Sequence, residues 1–294
     1  MKKDFRLGLS YGLAAYLLWG VLPIYWKQIQ QVPALEILAN RFIWSLIFMT
    51  LLIKLLHKQV DVRQEIRGVF SGGRSTVFML AAAVMIAFNW GIFIWAVEDG
   101  RIMATSMGYY INPMLNVMLG LIFLREKLNR LEWLAVGFAC TGIAFMVVRT
   151  GYLPWVSLCI ASTFAFYGLL KKYLQVSPFT SIFLETLIIS PLAVGYLVYL
   201  ALHGGNAYQL AELGTKFYLM GSGAATAVPL LLFTAAAKLL PLNTVGFLQY
   251  ISPTISMFIG IFIYGESFTS THAISFGCIW IGLVLFSFSQ FKNV

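Results

Sequence analysis

The chain has 294 residues, of which 60% are hydrophobic and only 11% charged, and this composition excludes an ordinary water-soluble domain. A net charge of +9 first suggests a nucleic-acid partner, but the basic residues are not placed for one. Cys140, Cys159 and Cys278 have no spacing typical of a disulfide or metal site, and no motif indicates a cofactor, so we expect neither metal nor cofactor.

Apolar stretches of about 20 residues, enough to cross a bilayer, follow one another along the chain. They lack the period-2 alternation of a membrane β-barrel, so we predict an all-α membrane protein. The basic, apolar N-terminus resembles a signal peptide. Its apolar run continues through Pro23 to Lys27 without a cleavage site, however, which indicates a first membrane helix. The ten predicted spans are centred near Tyr16, Ser45, Phe88, Asn116, Phe138, Thr163, Ser190, Ala227, Phe258 and Cys278.

The basic residues follow the positive-inside rule. With the N-terminus inside, fifteen of the twenty face the cytoplasm, four lie in outer loops and Arg41 lies within a span. Both termini are therefore predicted to be cytoplasmic. The fifteen are Lys2, Lys3, Arg6, Lys54, Lys58, Arg63, Arg67, Arg74, Arg125, Lys127, Arg130, Lys171, Lys172, Lys238 and Lys292.

Two related stretches lie 140 positions apart, "GYYINPMLNVMLG" from Gly108 and "LQYISPTISMFIG" from Leu248. The pairs at this offset include Tyr110 with Tyr250, Pro113 with Pro253, Gly120 with Gly260, Glu126 with Glu266 and Gly142 with Gly282. Several matches in one register predict an internal repeat.

The repeat divides the chain into residues 1–150 and 151–294, each with five predicted spans. Because five is odd, the second half enters the membrane from the opposite side. Such inverted repeats are typical of secondary transporters, whose site lies near the midplane between the halves. Two loops, 54–76 and 202–216, differ in length and absorb a change of offset between the halves.

Each proline-bearing span carries a polar stripe on one helix face. The stripes are Tyr109, Asn112 and Asn116 around Pro113, and Gln249, Ser252 and Ser256 around Pro253. A stripe facing lipid would be costly, so both are predicted to face the interior. Two interpretations stay open: the stripes line a cavity, or they join helices by hydrogen bonds of about 1 kcal/mol each.

Four ionisable residues are candidates for substrate contact. Arg41 suggests a substrate carboxylate or phosphate, whereas Glu36 and Glu185 suggest a cation or a coupling proton, and the sequence does not decide between them. Glu36 follows Pro33 closely and has an interfacial alternative, and Lys27 either snorkels to the outer surface or points into a vestibule.

Aromatic residues accompany these candidates. Trp90 lies beside Asn89 in mid-helix, and Tyr110, Tyr167 and Tyr250 lie in the repeat motifs. Trp90, Tyr110 and Tyr250 are too deep for an interfacial belt, and they suggest a site for a flat or cationic organic molecule.

Other classes find less support. The stretch "SGGRST" at Ser71 lacks the lysine and spacing of a nucleotide-binding loop, and no filter-like segment indicates a channel. No nucleophile and base or zinc motif is present, so an enzyme acting on a lipid-soluble substrate is the weaker alternative.

Six stretches in order resemble the drug/metabolite transporter superfamily, its EamA-type members and, among these, the bacterial RarD subfamily. They are "WGVLPIYWK", "VPALEILANRFIWS", "NWGIFIWAV", "GYYINPMLNVMLGLIFLREKL", "FYGLLKK" and "VPLLLFTAAAKLLPLNTVGFLQYISPT". The resemblance runs from about Gly12 to Glu266.

The resemblance implies a multi-pass permease of the bacterial cytoplasmic membrane that moves a small organic molecule by alternating access and is not an enzyme. It implies the bilayer and the substrate as partners, no nucleic acid, and leaves a homodimer open. The candidate residues in matching motif positions are Lys27, Glu36, Arg41, Asn89, Trp90, Asn112, Glu185 and Tyr250. The leading hypothesis places the site between the two proline-bearing helices.

Overall fold

The computed structural model describes residues 2–98, 102–151, 155–210, 212–265 and 269–292, and every regular element in these ranges is a helix. The helices are α1 (Lys2–Lys27), α2 (Ala34–Leu55), α3 (Gln59–Ser71), α4 (Gly73–Glu98), α5 (Ile102–Phe123), α6 (Arg130–Thr150), α7 (Trp155–Tyr173), α8 (Pro178–Leu202), α9 (Ala207–Leu210), α10 (Leu213–Leu239), α11 (Leu242–Gln249), α12 (Ile251–Tyr264) and α13 (Ser270–Lys292).

Within these ranges, eight helical stretches are long and apolar enough to cross a membrane. One of them combines α11 and α12, and α5 adds a shorter apolar stretch, Gly108–Phe123. Helix α7 is not among the eight; its last turn carries Lys171 and Lys172. Each of the ten predicted span centres lies in a long helix, as expected of a membrane protein.

The loop predicted at 54–76 is largely helical, because it contains α3. Its apolar residues Val62, Ile66 and Val69 follow at helical spacing, and Val62 and Val69 are buried against the core. The segment was predicted to be a loop because of its many charges, but it forms an amphipathic surface helix.

The two prolines act differently. Helix α5 continues through Pro113, whereas the second proline-bearing span breaks at Tyr250, between α11 and α12. Pro253 therefore lies in the first turn of α12, where its missing N–H has no partner within the helix to lose.

The helix contacts map onto themselves when the halves are exchanged. Helices α1, α2, α4, α5 and α6 correspond to α7, α8, α10, α11–α12 and α13. The packed pairs α2–α8, α5–α11 and α6–α13 each join two corresponding helices. The remaining main contacts come in exchanged couples, α5–α7 with α1–α12, α4–α7 with α1–α10, and α4–α8 with α2–α10.

The α6–α13 seam shows the same exchange in atomic detail. A Cβ added at Gly142 would lie 2.6 Å from the carbonyl oxygen of Ser275, and one at Gly282 would lie 2.7 Å from that of Ala135. Ser275 and Ala135 are themselves 140 positions apart. The two contacts require glycine, and their order shows that α6 and α13 run antiparallel.

We call the end of the bundle with residues 28–33 the upper end and the end with residues 240–241 the lower end. At the lower end, Lys172 of α7 donates to the carbonyl of Leu240, the residue after α10. In the same way Lys238 of α10 donates to the carbonyl of Leu174, the residue after α7, at 2.6 Å. Glu126, after α5, accepts the first backbone N–H groups of α11. These bonds close the lower end.

Candidate functional site

Arg41 lies inside the upper half of the bundle, seven residues into α2, or about 10 Å below the start of that helix. Its guanidinium carbon is 4.1 Å from the ring centroid of Trp90 on α4 and 4.8 Å from that of Trp26 on α1. Its Nε donates to the hydroxyl of Thr226 on α10 at 3.0 Å. Residues of three other helices therefore hold this cation, through the faces of two indole rings and through one hydrogen bond.

The remaining donors of Arg41 are open. Its terminal nitrogens donate no hydrogen bond to any residue that the structure describes, and they are not among the buried polar atoms without a partner. Within the same ranges no carboxylate pairs with Arg41. The side chain is partly exposed, so the free N–H groups face accessible space.

Tyr109 shows that this space is internal. It lies on the same face of α5 as Asn112 and Asn116, which are each 1% exposed and hydrogen-bonded inside the bundle. Tyr109 itself is 37% exposed, packs on Phe93 with ring centroids 5.8 Å apart, and lies near enough to interact electrostatically with Arg41. An exposed residue on an inward face indicates an opening inside the bundle.

Glu36 does not face this opening. Its side chain is buried, and Oε2 accepts the backbone N–H of Ala207, at the start of the short helix α9, at 2.5 Å. The carboxylate therefore ties α2 to the upper connection between α8 and α10.

Glu185 belongs to a closed network between α7 and α8. Oε1 forms an ion pair with Lys171 and accepts from Ser181 at 2.9 Å, while Oε2 accepts from the hydroxyl of Tyr167 at 2.9 Å. Lys171 is fully buried and also donates to Ser181 at 2.7 Å. Neither charge of the pair is left for a ligand in this conformation.

Asn112 and Asn116 of the first stripe meet Gln249 of the second in a joint between α5 and α11, whereas Ser256 of the second stripe donates to the carbonyl of Gly20 on α1. The Asn116 amide donates to Asn112 and to Gln249, each at 3.1 Å, and Asn112 donates to the carbonyl of Ala161 on α7 at 2.5 Å. The hydroxyl of Tyr250 points to the carbonyl of Tyr110 at 3.4 Å. The structure thus brings these predicted residues together, but packs them against each other.

One glycine permits this joint. A Cβ at Gly246 would lie 2.8 Å from the carbonyl oxygen of Pro113 and 3.0 Å from Cβ of Asn116. Helix α11 can therefore approach the proline of α5 only because position 246 has no side chain.

The other predicted residues are dispersed. Asn89 is buried and donates to the carbonyl of Ile160 at 2.7 Å, which joins α4 to α7. Lys27 is exposed at the upper end, with its ammonium 5.4 Å from the ring centroid of Tyr264. Ser252 is half-buried in the first turn of α12, and Glu266 lies outside the described residues.

Two grooves lie away from Arg41. One, of about 350 Å³, is lined by apolar residues of α5 and α6, including Ile111 and Val148. The other, of about 310 Å³, lies between α2 and the α8–α9 region and includes Asn40 and Tyr208. Neither includes the Arg41 guanidinium.

The sequence did not single out Thr226 or Lys171. Lys171 is counted there among the cytoplasmic charges, although it is fully buried. Thr226 carries no sequence signal, because only the packing of α10 on α2 brings it to Arg41.

A bundle of membrane-length helices with a charged, partly open interior is the architecture of a membrane transporter. The family model of the EamA-like transporter family matches the chain twice, over residues 6–148 and 153–288. The chain belongs to this family, within the drug/metabolite transporter superfamily, and its relatives place it in the RarD subfamily. The resemblance found in the sequence is confirmed.

Two relatives illustrate the similarity. "Uncharacterized transporter YojE" of Bacillus subtilis (strain 168) is 44% identical over 292 residues, covering 98% of this chain and 96% of its own. "Protein RarD" of Escherichia coli (strain K12) is 39% identical over 285 residues, covering 97% and 95%. The family and the relatives' names identify a multi-pass membrane transporter and point away from an enzyme.

A solved structure, titled "Crystal structure of protein", is similar with a TM-score of 0.72 over 95% of this chain and 96% of its own, at 15% sequence identity. At this identity the similarity bears on the fold alone.

Proposed function

We propose that the chain crosses the bacterial cytoplasmic membrane ten times as two inverted five-helix repeats, residues 1–150 and 151–294, with both termini in the cytoplasm. The double match of the family model, the exchange symmetry of the helix contacts and the antiparallel α6–α13 seam support this topology. The lower end, which carries most of the basic residues, is then cytoplasmic.

Single cysteines test the topology in intact cells. In a variant with Cys140, Cys159 and Cys278 replaced by alanine, we introduce Gln59→Cys at the lower end or His203→Cys at the upper end, both at exposed positions. A membrane-impermeant maleimide should label position 203 directly and position 59 only after permeabilisation. The reverse pattern would refute the orientation.

We propose that the protein is a secondary permease that moves a small organic molecule by alternating access. The observation that carries this is the accessible Arg41 above a closed lower half. Trp19, two turns below Trp26 on α1, packs with Phe164 and Phe233 at centroid distances of 5.9 and 5.6 Å. These rings and the Glu185 network lie between the Arg41 opening and the lower end.

Exchange kinetics test the permease. Compounds that raise the melting temperature of the purified protein are selected first, because a ligand stabilises the state it binds. In proteoliposomes, unlabelled compound inside should accelerate entry of labelled compound, since a loaded carrier returns to the outer side. Unsaturable entry without acceleration would indicate a channel, and product formation in detergent would indicate an enzyme. Protein-free vesicles are the control.

We further propose proton coupling through Glu185. Protonation would remove its ion pair with Lys171, and that pair joins α7 to α8. Transport that responds to an imposed pH gradient should lose this response in Glu185→Gln and keep it in Glu36→Gln, because Glu36 binds a backbone N–H at the upper end. Transport indifferent to the gradient would remove the proposal.

A further inference from the structure

Arg41 offers an incomplete binding arrangement. The guanidinium carbon of Arg41 lies over the indole rings of Trp26 and Trp90, and the N–H groups of a guanidinium donate hydrogen bonds in the plane of the group. Among the described residues only Thr226 accepts from this side chain, through Nε, so the edge formed by the terminal nitrogens is left for a planar acceptor. A carboxylate fits such an edge with two parallel hydrogen bonds.

The charges around the opening select the sign of the ligand. Both acidic candidates are occupied elsewhere, Glu36 by a backbone N–H and Glu185 by Lys171, and neither contacts Arg41. An organic cation would be repelled by Arg41, for which the described part of the chain supplies no counter-ion, and would find the two indole rings already in contact with it. The opening therefore favours an anion.

The charges and rings around the opening also indicate the ligand's net charge and shape. In the described residues, Arg41 is the cation that contacts Trp26 and Trp90. One negative charge balances it, whereas a dianion such as a phosphate monoester would leave one charge unpaired at low dielectric. The aromatic walls, including Tyr109 and Phe93, suit a flat apolar body.

We propose that the transported substrate is a small organic monocarboxylate with a flat apolar body, whose carboxylate binds the free edge of Arg41 and whose body packs on the surrounding rings. This inference rests on the proposed permease function and names the substrate class of its site. Of the anion and the cation that the sequence leaves open, it chooses the anion.

Matched probes test the sign of the charge. Full-length protein in lipid nanodiscs is titrated with phenylacetate, with the neutral phenylacetamide and with the cation benzylammonium, while its melting temperature and tryptophan fluorescence are recorded. Indole-3-carboxylate and benzoate extend the carboxylate set, and phenyl phosphate tests the dianion. We expect saturable binding among the carboxylates and at least tenfold weaker binding of the amide, the amine and phenyl phosphate. Binding of benzylammonium as tight as that of the carboxylates, or no response to any carboxylate, would overturn the proposal.

Variants assign the effect to Arg41. Arg41→Gln should weaken carboxylate binding about tenfold or more, and Arg41→Lys should restore part of it, because lysine keeps the charge but not the fork. Arg149→Gln, an exposed position at the end of α6, is the control. Elution as a single species and an unchanged melting temperature without ligand establish that each variant is folded. Carboxylate binding that survives Arg41→Gln contradicts the site.

Binding and transport separate the two proposals. If Arg41-dependent binding occurs in nanodiscs but the bound carboxylate does not exchange across proteoliposomes, the permease function fails while the site stands. If another compound is transported and no carboxylate binds, the permease stands and the substrate class fails.

Discussion

Glu185→Gln removes one negative charge from a network that is almost inaccessible to solvent. Lys171 is 0% exposed and Glu185 2% exposed, and the carboxylate accepts hydrogen bonds from Lys171, Ser181 and Tyr167. The variant leaves the Lys171 ammonium buried without its counter-ion. Breaking a buried pair from one side costs about 3 to 5 kcal/mol, so we expect a loss of about 4 kcal/mol in unfolding free energy.

A double-mutant cycle isolates the ion pair. Lys171→Met should be costly for the same reason, since it leaves the carboxylate unpaired. The double variant buries no charge at this point, and its loss should be smaller than the sum of the single losses by about 2 kcal/mol or more. Unfolding is followed by far-UV circular dichroism in mixed micelles with increasing SDS. The control, Glu212→Gln, changes an exposed carboxylate before α10 and should stay within about 0.5 kcal/mol.

Two results would refute this reasoning. If Glu185→Gln costs no more than Glu212→Gln, the pair does not stabilise the fold. If the losses at Lys171 and Glu185 add to within about 0.5 kcal/mol, the two charges are not coupled as their contact indicates.

Three further predictions use the same unfolding assay. Gly223→Ala would place a Cβ 2.7 Å from the backbone nitrogen of Ser45, which cannot move away as a side chain could, and should cost about 1 to 3 kcal/mol in unfolding free energy. Its control, Gly91→Ala, has nothing within 4 Å of the added Cβ and should be neutral or stabilising. Equal effects of the two substitutions would contradict the packing at Gly223. Gly246→Ala should cost a similar 1 to 3 kcal/mol, because α11 must move off α5; a neutral result would show that the joint is loose. Glu126→Gln leaves one acceptor for two N–H groups of α11 and should cost about 1 kcal/mol, with faster hydrogen exchange in that first turn; unchanged exchange would contradict the cap.

Much of the fold could be predicted because the bilayer imposes one simple rule on sequence. Long apolar runs became helices at every predicted position, and Arg41 and Glu185 were identifiable because charges inside such runs are rare. The helix α3 was missed, because its many charges are typical of a loop and its helically spaced apolar residues extend over a short segment.

The site could be predicted only in part. Chain position alone cannot show which candidates are already satisfied: Glu36 by a backbone N–H of α9, Glu185 by Lys171, and Asn112 by a carbonyl of α7. These partners lie far along the chain and are selected by packing. Arg41 differs from Glu36, Glu185 and Asn112 in that no described residue accepts from its terminal nitrogens, and the absence of a partner cannot be recognised from a sequence.

The seam between α6 and α13 has a consequence for motion. Its contacts, Gly142 on Ser275 and Gly282 on Ala135, are exchanged with one another when the two halves trade places. If alternating access means that each half adopts the other's conformation, this seam looks the same before and after. The contacts between α6 and α13 can therefore stay unchanged during transport. We expect these two helices to keep their register while the helices around Arg41 tilt to close the upper end and open the lower one.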